Sequence, residues 1–261
     1  MRATCDLADL EPAITNSTIE RYRRPPIVEA LVDIHVNFEG EAQIATEAAM
    51  AGEADQYSMR QPLVATSWRV SASATDVVPA AQSLIGFRHD DKEAGRVALV
   101  RINGFTFSQH QPYPTNGWAD WTVEARRLWQ KYANAFSGAI VTRIAVRYIN
   151  RIVLLADARY EDHFLIGPRI PAELGDYKNF LLRTELNVGS GIGATVLLTH
   201  GELVPEDGES GRVFLLDLDI SSLASDRIAS SSVWERLDHL HSLVGPVFEG
   251  ALSEHTKRIF R

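Results

Sequence analysis

Only one cysteine, Cys5, occurs in the 261 residues, so no disulfide can close within the chain and a reducing setting is expected. No apolar run approaches the ~18 residues that a membrane-spanning helix needs. The opening Met1-Arg2-Ala3-Thr4-Cys5-Asp6 lacks the apolar stretch of a secretion signal, and a cytoplasmic protein of bacterial type is expected. Positive charge is in deficit: 26 Lys+Arg stand against 34 Asp+Glu, a formal net charge of −8. That is the reverse of the footprint left by phosphate-backbone binding, so nucleic acid is not the expected partner, although a local basic stripe can survive in an acidic chain. Motifs of catalysis are missing too. There is no GxSxG, HExxH, P-loop or CxxC, so no catalytic residue, no metal ligands and no cofactor are expected.

What the chain does have is a repeated pattern. Laid on itself with a shift of roughly 114 residues, the second half follows the first, a self-similarity of repeat size. Trp68-Arg69-Val70 falls on Leu182-Arg183-Thr184, and Trp121 falls within one position of Trp234. Gly95-Arg96-Val97 recurs as Gly211-Arg212-Val213, a shift of 116. The expected organisation is a lead-in over 1–26, a first repeat over 27–139 and a second over 140–261.

Residues 27–38 alternate cleanly, with Val28, Ala30, Val32, Ile34, Val36 and Phe38 on one side and Glu29, Asp33, His35 and Asn37 on the other. Period two of this length predicts a strand with one buried and one polar face. A helix is predicted over 41–60, then strands near 67–73, 84–89 and 97–109, with Gly104 read as a bulge in the last. Over 118–136, Trp121, Ala125, Leu128, Trp129, Tyr132 and Phe136 form one apolar stripe at helical spacing, with Gly138 as its C-cap. The second half offers strands near 142–154, 180–188, 194–201 and 213–220. A helix follows that Ser232-x-x-Glu235 would cap and Gly245-Pro246 would kink or break. The fold expected is α+β: two pseudo-symmetric β-α-β-β-β-α halves sharing a mostly antiparallel sheet of about eight strands, with helices on one face. Two smaller sheets packed side by side are the alternative.

Polar side chains gather on the other face of these strands: Glu29, Asp33 and His35, then Arg143, Arg147 and Arg151, then Arg183 and Glu185, then Asp217 and Asp219. Under the repeat, Glu29 aligns with Arg143 and Asp33 with Arg147, so equivalent positions carry opposite charge. Antiparallel pairing of the two first strands would set Glu29 against Arg147 and Asp33 against Arg143, pairs that stabilise by roughly 0.2–1 kcal/mol each. A solvated sheet face held by ion pairs is the plain reading. The sharper one is a polar floor on which Glu29, Asp33, His35, Arg143, Arg147, Arg151 and Arg183 bind an anionic or zwitterionic ligand, and a face buried in a dimer is the third. Asp33-x-His35 also has the residue types of an acid–base pair. Other signals fade on inspection. The glycines of 189–193 open no helix and read as a hairpin turn. Asp238 to His241 cannot converge on a metal, because i and i+2 diverge by about 200° on a helix. His241 itself reads as a core histidine.

Two segments carry a resemblance. Arg24-Pro25-Pro26-Ile27-Val28-Glu29-Ala30, continuing to Ile34, and Arg147-Tyr148-Ile149-Asn150-Arg151-Ile152 resemble the signatures of a sporadically distributed prokaryotic family of similar length. That patchy distribution implies a mobile gene module of the toxin–antitoxin or phage-defence kind, and no particular reaction. Asn150 breaks the apolar face of its strand and is expected to satisfy a buried backbone group or a helix end. The function expected is a non-enzymatic binding or interaction protein with a protein partner or a second copy of itself. The alternatives are an enzyme working on the polar sheet face and, third, a nucleic-acid binder.

Overall fold

A computed structural model describes residues 22–70, 77–175, 179–188, 193–228 and 230–261. The predicted hairpin glycines at 189–192, the lead-in with Cys5 and part of the strand predicted at 67–73 lie outside the described residues. The strands are β1 Ile27–Asn37, β2 Met59–Val70, β3 Val77–Asp91, β4 Arg96–Arg101, β5 Gly104–His110, β6 Ile140–Leu154, β7 Leu181–Val188, β8 Ala194–Leu203 and β9 Arg212–Arg227. The helices are α1 Ala42–Ala49, α2 Trp118–Ala135, α3 Tyr160–His163, α4 Ser232–Ser242, α5 Val244–Ala251 and α6 Glu254–Phe260. The fold is α+β, with the strands in one antiparallel nine-stranded sheet in the order β2-β3-β4-β5-β1-β6-β9-β8-β7. No described helix is long and apolar enough to cross a membrane.

Several expected elements are corrected. The strand predicted over 97–109 is two strands, β4 and β5, joined by Ile102 and Asn103, so four strands rather than three follow α1 in the first half. Asn103-Gly104 is turn chemistry, and the apolar run concealed it. Gly104 is no bulge: it pairs directly with His35 and with Arg101. The helix predicted over 41–60 stops at Ala49, and the chain has already become β2 at Met59. The second half closes with three helices instead of one. The Gly245-Pro246 break takes the form of a new helix, with Pro246 in the first turn of α5, where a missing N–H costs nothing. Ser232 is the first residue of α4 rather than its cap, and its hydroxyl donates to Asp226 at 2.9 Å. His241 is half-buried rather than core.

Among the described residues, the chain forms two compact units, one of residues 27–149 and 223–238, the other of residues 22–26, 150–222 and 239–261. Their boundary at 149/150 falls inside β6, past the 139/140 boundary read from the sequence.

In the first unit, the alternation of β1 places Ala30, Val32 and Ile34 at zero exposure. Hydrogen-bonded neighbours continue that face with Phe105 and Phe107 of β5 and Ile144 and Val146 of β6, all fully buried. The apolar stripe of α2 covers it, with Phe107 and Trp121 stacked at 6.0 Å and Phe105 and Trp129 at 5.9 Å between ring centroids. Helix α4 joins α2 through Arg126, which lies over the Trp234 ring and pairs with Asp238 at 2.9 Å. Glu53 ties the segment after α1 to α2 by accepting from Arg127 at 2.6 Å and from Lys131. Those contacts, Arg127 first, bring the Glu53 carboxyl down to about 2.

The second unit is built on β7, β8 and β9 with the C-terminal part of β6. Val196, Leu198, Phe214, Leu216 and Leu218 are buried with Tyr160, Phe164 and His200. Asn150 donates to Leu216 O at 3.0 Å and is itself buried, as the break in its apolar face requires.

Because Trp129 is 4% exposed between Phe105 and Tyr132, Trp129→Ala is expected to destabilise by about 3–5 kcal/mol in chemical denaturation. An unchanged midpoint would mean that α2 does not cover this core.

Candidate functional site

The polar face of the first unit centres on Asp33. Strand β1 puts it directly opposite Thr106 of β5, and Thr106 stands opposite Leu99 of β4, which stands opposite Arg88 of β3. Those residues share one side of the sheet, as successive partners across a pleated ladder must. Asp33 Oδ1 accepts from Thr106 Oγ1 at 2.6 Å and from Arg101 Nη2 at 2.8 Å. Its Oδ2 lies 2.8 Å from His35 Nε2 and accepts from Arg143 Nη1 at 3.3 Å. Burial would raise the Asp33 carboxyl. The hydrogen bond from His35, the Arg101 charge and the Thr106 hydroxyl outweigh it and hold the group well below the usual carboxylate range. Asp33 is therefore an anion throughout the physiological range. A carboxylate can only accept, so His35 Nε2 carries a proton and, in the neutral ring, the lone pair sits on Nδ1.

Glycine makes this arrangement possible. A Cβ on Gly104 would lie 2.6 Å from Ile34 O and 3.0 Å from Arg101 Nη2. The missing side chain lets β5 approach β1 and leaves room for the guanidinium that reaches Asp33.

Two further pairs occupy the same face. Glu29 Oε1 lies 3.8 Å from Nε2 of His110, its cross-strand neighbour, and Arg88 pairs with Asp90 at 2.6 Å. In all three pairs the carboxylate is the covered member. Side-chain exposures are 18% for Asp33 against 44% for His35, 13% for Asp90 against 39% for Arg88, and 24% for Glu29 against 43% for His110. Short acids stay close to the strand while longer bases extend over them toward solvent, so the outward layer is made of basic side chains.

Of the residues nominated from sequence, Asp33, His35 and Arg143 meet at the carboxylate, and the expected Asp33–Arg143 pair is formed. Glu29 and Arg147 belong to the same unit, where Glu29 has His110 beside it. Arg151 and Arg183 belong to the second unit. Arg151 there makes a two-pronged ion pair with Glu209, its Nη1 donating at 2.6 Å, and Arg183 stands on β7 opposite Thr199. Arg101, Thr106, Arg88, Asp90 and His110 were missed. Asn103-Gly104 was the signal for the first two, because a turn there sets Arg101 and Thr106 on the Asp33 side.

A cleft of about 970 Å³ in the second unit is the other candidate, with His163, His255, Asp162 and Arg159 among its lining. Thr256 Oγ1 donates to His163 O at 2.9 Å, so its contact with His163 Nδ1 at 2.8 Å requires the proton on that nitrogen. Burial, then the neighbouring His255, lowers the His163 imidazole below its ordinary value. These bonds already fasten α3 to α6, which accounts for the histidine structurally. Among the described residues, no three His, Cys, Asp or Glu side chains converge in a way that could hold a metal.

Neither a protein-family model nor a curated protein matches this chain.

Two measurements follow from this geometry. Asp33→Asn is expected to cost about 3 kcal/mol at neutral pH, because the donors around it lose a charged partner. The folded-state carboxyl is depressed, so its stabilisation is complete above the unfolded value of about 4 and is lost as pH falls through the lower folded value. The stability gap between wild type and variant, followed by urea denaturation, should be flat above about pH 5 and shrink below about pH 4. A gap independent of pH would show that Asp33 is not held as an anion. Gly104→Ala should destabilise by about 1–3 kcal/mol through the clash with Ile34 O. A neutral substitution would disprove the close approach of β5 to β1.

Proposed function

We propose that the chain is a binding protein and that the polar sheet face of the first unit recognises an acidic segment of a protein partner. One observation carries this: His35 and Arg88 each stand outermost in direct contact with a covered carboxylate, and His110 stands outermost 3.8 Å from another. Such side chains are oriented before a ligand arrives, which lowers the ordering cost of binding, and an acidic ligand would take the two histidines in their protonated form, in which both ring nitrogens donate. Their spacing favours a polymer over a small anion. His35 and His110 are opposite Gly104 and Glu29, six residues apart along β1, and Arg88 lies three strands from Asp33. At ~3.3 Å per residue and ~4.8 Å per strand, the donors span ~20 Å by ~14 Å. The resemblance of 24–34 and 147–152 to a patchily distributed prokaryotic family supports a partner encoded beside this chain. The internal repeat belongs to the same proposal. In its support, the first strand of each half neighbours the last strand of that half, β1 with β5 and β6 with β9.

A second reading rests on the 2.8 Å contact between Asp33 and His35, in which a fixed carboxylate orients a half-exposed imidazole as an acid–base group. Loss of hydrolytic turnover in His35→Gln, with binding retained, would favour it.

Binding of a labelled oligoglutamate peptide is expected at low salt and should weaken as salt rises. The triple variant His35→Gln/Arg88→Gln/His110→Gln should bind about tenfold more weakly or worse while keeping its fold, measured by fluorescence anisotropy and circular dichroism. An unchanged affinity, or no binding by wild type, removes the proposal. Tighter binding of a single-stranded oligonucleotide than of the peptide replaces it with the nucleic-acid reading.

A further inference from the structure

We propose that β7 pairs antiparallel with β7 of a second copy of the chain, about a two-fold axis at Thr184. Strand β7 ends the strand order of the sheet and, among the described residues, pairs on one side only, with β8. Its outer edge presents the backbone N–H and C=O groups that template another strand. The opposite edge strand, β2, carries Pro62, which removes a donor and discourages pairing. Strand β7 has no such guard across its eight residues, Leu-Leu-Arg-Thr-Glu-Leu-Asn-Val. It is also poorly covered, with Leu181 73% and Leu186 40% exposed.

The sequence selects the occupant. Arg183 and Glu185 flank Thr184 symmetrically, and Leu182 and Leu186 flank them in turn. In an antiparallel pair centred on Thr184, Arg183 faces Glu185 of the second copy, Glu185 faces its Arg183, and each Leu182 faces a Leu186. Charged pairs lie on one side of the new sheet and leucine pairs on the other. Centring the pair on Arg183 or on Glu185 would set like charges directly against each other, so the same residues reject the neighbouring registers. Such self-complementarity is what a two-fold interface demands, where each residue meets the counterpart of its own contact. Arg183, nominated from sequence as part of a ligand floor, is thereby assigned to assembly. This face is separate from the Asp33 surface, and neither proposal needs the other.

Sedimentation velocity of the full chain tests it, with circular dichroism to confirm folding. Wild type should dimerise. Arg183→Glu alone and Glu185→Arg alone should each raise the dissociation constant by about tenfold or more, because each opposes like charges twice. The double variant Arg183→Glu/Glu185→Arg should recover dimerisation, since the exchanged charges again face opposites. A monomeric wild type, a dimer indifferent to the single reversals, or a double variant no better than the singles would each overturn the proposal.

Discussion

A largely covered carboxylate that must stay charged sets the terms for the first unit. Taking such a group out of water costs several kcal/mol, which only well-placed opposite charge and hydrogen bonds recover. For Asp33 the donors come from His35 on its own strand, Arg101 of β4, Thr106 of β5 and Arg143 of β6. Every one of those strands has to be in register for the carboxylate to be satisfied. Since a slip by one residue turns a strand's side chains to the opposite face, Asp33 penalises mispairing in three neighbouring strands at once. The apolar face makes the same demand from its own side, because Val32 and Ile34 are buried on either side of Asp33 in β1.

How much of this was readable follows from how local each signal is. The alternation in β1 and the stripe in α2 are periodic patterns within a single element, and both stand in the structure. The Asp33–Arg143 pair was readable from opposite charges on the polar faces of two strands expected to pair antiparallel. Arg101 and Thr106 were hidden by a mistaken element. Read as one long strand, 97–109 has no turn, and its polar residues have no defined partner. Recognising Asn103-Gly104 as a turn is enough to bring both toward Asp33. The grouping of Arg151 and Arg183 with Asp33 came from parity alone, which gives the face of a strand but not the loop that meets it. Glu209, which holds Arg151, arrives from such a loop just before β9.

Chemistry alone does not distinguish a clamp from a recognition surface. Glu53 with Arg127 and Lys131 uses the same ion pairing as Asp33, yet it joins two segments of the unit, the chain after α1 and the helix α2. Its bonds are used in holding elements together. Around Asp33, Arg101 and Thr106 already connect the strands, and the residues outermost over the acids, His35, Arg88 and His110, are nearly half exposed. In both clusters the base is the member that meets water, Arg127 at 43% against 8% for Glu53, so what separates them is that the Glu53 pairs join two elements.

That asymmetry has a covalent origin. An aspartate on a strand carries its oxygens close to the sheet, while an arginine or histidine one or two positions away is long enough to fold over it. In the i, i+2 pairs of this face side-chain length thus favours covering the acid, whereas Arg101, arriving from β4, is as covered as Asp33 itself. Pairs built as Asp-x-His and Arg-x-Asp along a strand bury the acid and display the base, and exchanging the positions of the two residues would leave that order unchanged. The outward display of bases on this face therefore resides in the residue types and their i, i+2 spacing, in Asp33-x-His35 and Arg88-x-Asp90 alike. Glu29 and His110 reach the same result across two strands, where the register of β1 against β5 takes the place of spacing.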